Sequence, residues 1–147
     1  MLKKNNLKHI AIILDGNQRW SDKKKLNIYN GYEEGLKKID ETITYSLDLN
    51  LKYLTLFTLS SENYKRNSVS LIYDIISKYF QNLLDKIIKE KKVKIKIIGK
   101  RQNLPRKIIK IFDECENLTE NNNKLNLFLA FNYGFKDELR LAFEKYK

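Results

Sequence analysis

His9–Trp20 reads HIAIILDGNQRW, an apolar run of strand length that stops at a carboxylate and a glycine. The run His9–Leu14 is rich in isoleucine and is bounded by a turn signal, which predicts a buried strand. The residues after it indicate how that strand is used. Asp15 is followed by Gly16, which permits close backbone approach, and Asn17, Gln18 and Arg19 lead into a helix start. Amides in such a turn form an anion cradle, and the Arg19 guanidinium suits phosphate oxygens. Asp15 would repel a bare phosphate, so its place beside the cradle implies a bridging divalent cation, Mg2+. An ordinary Asp-Gly turn with a solvated arginine is the competing reading of the same residues.

Three further runs match the first in length and character: Tyr53–Leu59 (YLTLFTL), Val93–Ile98 (VKIKII) and Leu125–Phe131 (LNLFLAF). Between them, Glu33–Leu49, Val69–Lys91 and Pro105–Leu118 carry apolar residues at helical spacing, and a last helix is predicted from Lys136 onward. Pro105 suits a helix first turn, where a missing N–H costs nothing. Strands alternating with helices predict an α/β fold, a mainly parallel sheet flanked by helices, in one domain over residues 1–147. In such sheets ligands sit beyond the carboxyl ends of the strands.

The second strand runs into Ser60, Ser61, Glu62, Asn63, Tyr64, Lys65 and Arg66. A helix beginning near Val69 needs one capping residue, and this loop offers many more polar groups than that. Two arginine-bearing loops at adjacent strand ends predict one anion pocket built from both. Asn132-Tyr133-Gly134, after the fourth strand, reads equally as a tight turn or as part of a site. The Val69–Lys91 helix carries a broad apolar stripe, from Leu71 and Ile72 to Ile87 and Ile88, that mostly packs on the sheet. Part of it is wide enough to wall an apolar cleft. A diphosphate cradle beside such a cleft suits an isoprenoid diphosphate. His9 has no ligand cluster around it and reads as structural, and Cys115, inside a helical pattern, reads as inert packing.

Composition narrows the classes. With 42% apolar and 32% charged residues the chain is globular rather than disordered. Every apolar stretch is broken by Lys, Asp or Asn before it reaches membrane-spanning length, and no apolar region of secretory-signal type follows the basic start before Asp15. One cysteine excludes an internal disulfide framework and fits a cytoplasmic protein. The net charge of +11 invites nucleic acid, but lysines accompanied by abundant Asn and Ile read as a solvated surface. No recognisable nucleic-acid-binding module accompanies the charge.

His9–Trp20 closely resembles the phosphate-binding segment of the cis-prenyltransferases, the undecaprenyl-diphosphate-synthase-like enzymes. Leu54–Arg66 (LTLFTLSSENYKR) is similar to that family's second signature, and Phe131–Glu138 (FNYGFKDE) to its Asn-Tyr-Gly-Gly-Arg-x-Glu segment. The resemblance implies condensation of isopentenyl diphosphate with an allylic diphosphate such as farnesyl diphosphate, giving a long-chain polyprenyl diphosphate for a cell-wall lipid carrier. It implies Mg2+, a homodimer or a partner subunit, and membrane contact only through the product. By matching position, Asp15 is the metal-binding and catalytic carboxylate, and Gly16, Asn17, Gln18 and Arg19 hold the allylic diphosphate with Trp20 beside them. Asn63 takes part in removing the isopentenyl proton, orienting a proton path because an amide is a poor base. Ser60, Ser61 and Glu62 line the reacting region, and Arg66 adds positive charge.

The chain departs from the family pattern at several of these places. The family's Arg after the first motif is Ile28 here, and its Gly-His pair is Gly31-Tyr32. Tyr64, Asn67 and Phe135 replace its usual Trp, Pro and second Gly. The family's later Arg-x-Ser segment and metal-binding Glu lie beyond Lys147, so the last strands are expected to be absent, one sheet edge open and turnover weak.

Overall fold

A computed structural model describes residues 7–61 and 69–146; within the long third helix, some side chains also lie outside that description. The strands are β1 (His9–Ile13), β2 (Tyr53–Ser60), β3 (Val93–Ile98) and β4 (Leu125–Tyr133). The helices are α1 (Asn17–Lys23), α2 (Ile28–Asp48), α3 (Val69–Glu90), α4 (Arg106–Leu118) and α5 (Phe135–Lys145). All neighbouring strands are parallel, in the order β1-β2-β4-β3, so the anticipated α/β architecture is the one the chain adopts. This order places the carboxyl ends of β1 and β2 side by side, as the pocket argument required.

One face of the sheet carries the core. Leu54 and Leu56 of β2 and Leu125, Leu127 and Leu129 of β4 are buried against Ile39 and Ile43 of α2 and Ile108 and Phe112 of α4. Phe112 meets Phe131 edge-on at a centroid distance of 5.2 Å. Tyr53, Phe57 and Phe128, on the reverse face, are only half-buried or exposed. His9 donates to or accepts from Thr55 Oγ1 at 2.8 Å and stacks edge-on with Tyr53, the structural role expected of it. Cys115 is fully buried, and burial pushes its thiol up to about 12, so it is inert packing.

Several boundaries differ from the sequence reading, and four of the differences have a local reason. The segment between β1 and β2 holds two helices, because Asn27 ends the connection after α1 and caps α2, its side-chain oxygen accepting from the Asn30 amide at 3.0 Å. The cap sets the start of α2 at Ile28, five residues before the Glu33 expected from apolar spacing. Pro105 stands just outside α4 as its N-cap. Asn132 and Tyr133 belong to β4 rather than to a turn after it. Asn132 is buried at positive φ and donates its side-chain amide to the Lys100 carbonyl at 3.0 Å, tying β4 to the end of β3.

The expected open edge is not at β3. Thr119 Oγ1 accepts from the Ile95 amide at 3.0 Å, and Glu116 accepts from the Ile97 amide at 2.9 Å. Side chains of α4 and its C-cap thus satisfy two amides of that strand, one of the ways natural sheets blunt their borders. The β1 edge is barer, with Ile13 75% exposed. Helix α5 is amphipathic yet buries none of its residues, and Phe135 and Phe143 are exposed.

Candidate active site

The turn after β1 is built around Gly16, whose φ of 96° lies in the left-handed region that an L side chain enters only at a cost. The Gly16 amide donates to Asp15 Oδ1 at 2.6 Å, and Arg19 reaches back from the first turn of α1 to Asp15 Oδ2 at 3.0 Å. No side chain caps α1, and the first intrahelical bond is Trp20 N–H to the Gly16 carbonyl. The amides of Asn17, Gln18 and Arg19 therefore have no acceptor within the helix. Asp15 and Arg19 are about three-quarters exposed, so their ion pair is cheap to break.

Two glycines hold this turn in place. A Cβ on Gly31 of α2 would stand 2.1 Å from Ser21 Oγ and 2.4 Å from the Asn17 carbonyl. One on Gly35 would stand 2.6 Å from Asn17 Oδ1. The bare backbone of α2 lets α1 lie against it, with Ser21 buried between them and donating to the Asn17 carbonyl. The sequence pattern marks Gly31 only through the Gly31-Tyr32 pair. Its spacing of four from Gly35, on one helix face, was the available sign of close packing.

Beside the turn opens a cleft of about 730 Å3, a volume within the usual range for small-molecule sites. Asp15, Gly16, Asn17, Gln18 and Arg19 form one wall of it. The body is mostly apolar: Leu36 and Ile39 from α2, Leu59 from β2, Ile72 and Ile75 from α3, and Phe112 from α4. The expectation that α3 walls a cleft next to the cradle is met. Tyr32 and Thr58, which sequence reading did not place in the site, also line it. Ile28 is half-buried and does not, so of the two departures after the first motif only Tyr32 faces the cleft.

Tyr79 of α3 also lines the cleft and donates its hydroxyl to Asp40 Oδ1 of α2 at 3.0 Å. Burial, reinforced by the Asp40 carboxylate, holds the phenol well above its ordinary range, so it remains a neutral donor.

Other anticipated residues fall elsewhere. Trp20, Ser60 and Ser61 do not line the cleft. Ser61 packs against Gly134, where a Cβ would come within 2.4 Å of its Oγ. Next to it Lys100 and Asp137 form an ion pair at 2.5 Å, and the Lys100 ammonium holds the Asp137 carboxyl below its usual range. The Asn132-Tyr133-Gly134 segment is therefore a joint between β3, β4 and α5. Glu62, Asn63 and Arg66 lie outside the described residues.

A bound Mg2+ needs hard oxygen donors, and one or two protein carboxylates with phosphate oxygens and water suffice. Asp15 fits that requirement, being an exposed carboxylate beside the backbone amides of α1. No group of three or more His, Cys, Asp or Glu side chains poised for a metal occurs among the described residues. Any ion held here would thus take most of its ligands from a diphosphate and solvent.

A parallel sheet with a polar turn at its strand ends and an apolar cleft behind it defines an α/β protein whose candidate site joins a polar wall to an apolar body. The prenyltransferase family described as undecaprenyl diphosphate synthase matches residues 13–147, and the chain belongs to that family. It is 42% identical over 136 residues to an isoprenyl transferase of Rickettsia felis, covering 91% of this chain and 57% of that protein. It is 35% identical over 138 residues to one of Thermotoga maritima, covering 92% and 59%. A probable undecaprenyl diphosphate synthase from Campylobacter jejuni superposes with a TM-score of 0.78 at 26% identity, covering 96% of this chain and 62% of that one. Lavandulyl diphosphate synthase from Lavandula x intermedia, solved with dimethylallyl diphosphate, shares the fold at a TM-score of 0.82 and 24% identity, covering 94% and 60%. The chain thus spans somewhat under two thirds of the length of these relatives. Among the described residues, no helix is long and apolar enough to cross a membrane.

Proposed function

We propose that this chain carries the allylic-diphosphate site of a cis-prenyltransferase, which joins isopentenyl diphosphate to an allylic diphosphate such as farnesyl diphosphate. The observation that carries the reading is the placement of the Asp15–Arg19 turn against an apolar cleft at the carboxyl ends of adjacent parallel strands. A diphosphate seated at the turn would take hydrogen bonds from the free amides of Asn17, Gln18 and Arg19 and a charge-assisted pair from the Arg19 guanidinium. Its isoprenoid tail would enter the cleft. Mg2+, held by Asp15 and the diphosphate, would add positive charge as the leaving group departs. Arg19 and the amides of α1 stabilise the same developing charge. The apolar walls exclude water from the allylic cation that remains. Asn63, from the loop after β2, would orient the path taken by the isopentenyl proton.

A second reading, a diphosphate-binding relative with little or no turnover, is favoured by one feature. The cleft presents the Tyr32 phenol where the family places a histidine. Two measurements separate the readings. Calorimetry should show an allylic diphosphate binding more tightly than isopentenyl diphosphate, because the cradle and cleft are both present; equal or reversed affinities contradict the site. Incorporation of labelled isopentenyl diphosphate then tests turnover directly.

A further inference from the structure

Trp20 is the one tryptophan of the chain, yet it stands outside the cleft with 40% of its surface exposed. Helix α1 divides its other faces between two tasks. Ser21 is buried toward α2, while Gln18, Arg19 and Asp22 line the cleft. Trp20 belongs to neither face, and Lys23, Lys24 and Lys25 follow it, all exposed. The helix then ends in a Schellman closure. The Leu26 amide donates to the Ser21 carbonyl at 2.9 Å and the Lys25 amide to the Asp22 carbonyl at 3.1 Å, with Lys25 at a left-handed φ of 54°. That closure folds the chain back so that Leu26, 46% exposed, adjoins the turn that begins at Trp20. An indole and an isobutyl group thus share one end of α1 with three ammonium groups.

We propose that this end of α1, from Trp20 to Leu26, seats the chain on an anionic lipid bilayer. The surface does not depend on the diphosphate reading above. Complementarity of charge and of polarity carries the choice of partner. The three lysines meet acidic headgroups, and each strengthens association about fivefold near such a surface. An indole settles at the boundary between headgroups and acyl chains, and Leu26 adds an aliphatic group on the apolar side of that boundary. Asp22 is the one acidic residue of the segment, and it lies on the cleft side of α1. A nucleic acid would also attract the lysines, but Leu26 offers no face on which a base could stack, and one indole is a short platform. Because α1 is at once a wall of the cleft, docking through its outer side holds the cleft beside the membrane surface.

The test uses the full chain at low salt, with vesicles of phosphatidylglycerol and, as the neutral control, of phosphatidylcholine. Sedimentation with the vesicles measures affinity, and tryptophan emission reports the contact itself because Trp20 is the sole source. The phosphatidylglycerol vesicles are expected to bind, to move the emission to shorter wavelength and to let go as salt is raised, with far weaker binding to phosphatidylcholine. Lys23→Gln, Lys24→Gln and Lys25→Gln together should weaken binding about a hundredfold. Lys25→Gly alone should weaken it about fivefold while raising the denaturation midpoint, since glycine is at ease at this φ. A purely structural role for Lys25 would not move the two in opposite directions. Circular dichroism checks the fold of each variant. Binding to phosphatidylglycerol that is absent, that survives the triple substitution, or that leaves the emission unmoved overturns the inference. A lysine-dependent affinity for polyuridylate above that for the vesicles overturns it in favour of nucleic acid. Release from the vesicles by inorganic pyrophosphate would assign the contact to the Asp15–Arg19 cradle, removing this surface and leaving the diphosphate reading in place.

Discussion

Replacing Asp15 by Asn separates the charge of this side chain from its shape. The Gly16 amide, now 2.6 Å from Asp15 Oδ1, can still be accepted by an Asn oxygen, so the turn and the left-handed Gly16 are retained. Two electrostatic effects are lost together. Arg19, held at 3.0 Å by Asp15, is released toward a ligand, and an exposed pair of this kind is worth about 0–1 kcal/mol. The repulsion between the carboxylate and the nearest charge of an incoming diphosphate also disappears, about 1 kcal/mol near 4 Å in a water-like medium. Without metal, the variant should therefore bind an allylic diphosphate more tightly by about 1–2 kcal/mol, or roughly 5- to 30-fold.

With Mg2+ the sign reverses. Asp15 is the one carboxylate of the turn, and a neutral amide oxygen is a poorer donor to a hard cation. The unaltered protein should gain affinity as Mg2+ is added, whereas the Asn variant should change little, so the two titration curves cross. Calorimetry in chelator and then in saturating Mg2+ reads both arms. Turnover by any active form should fall about a hundredfold or more in the variant, the usual consequence of losing one group that stabilises developing charge. Weaker binding in chelator, or an unchanged response to Mg2+, would show that Asp15 is neither the repelling charge nor the metal ligand.

Gly31→Ala should cost about 1–3 kcal/mol in chemical denaturation, because its Cβ would stand 2.4 Å from the Asn17 backbone carbonyl and α1 must move. The same displacement should weaken diphosphate binding; full affinity in a folded Gly31→Ala protein would show that the α1–α2 contact does not position the cradle. Lys100→Gln should raise the Asp137 carboxyl toward its ordinary value of 3.8, measured by NMR titration. Because folding lowers the Asp137 value, the pair stabilises the fold above the unfolded value, and that contribution disappears as pH falls through the folded one. The stability lost on Lys100→Gln should be small, since both side chains remain partly exposed to solvent, and the loss should vanish below both values.

The strands were legible because each is a short apolar run ending at turn residues, and the β1 and β2 loops were legible because their chemistry is contiguous in sequence. The split of α1 from α2 was less so. Its sign was a single capping residue, Asn27, set against apolar spacing that points to a later start. The body of the cleft was hidden for a different reason. Tyr32, Ile39, Ile75, Tyr79 and Phe112 come from three helices, and each occupies a position that helical spacing assigns equally well to the core. Ile39 is in fact both, buried in the core cluster and facing the cleft. A hydrophobic stripe records which side of a helix avoids water, and a lipid-binding wall avoids it as much as a packed interior does. Polar interruptions of the stripe carry the missing information only once their partners are known. Asp40 and Tyr79, 39 residues apart, read singly as a surface carboxylate and a core aromatic. Brought to 3.0 Å of each other, they join α3 to α2 beside the cleft.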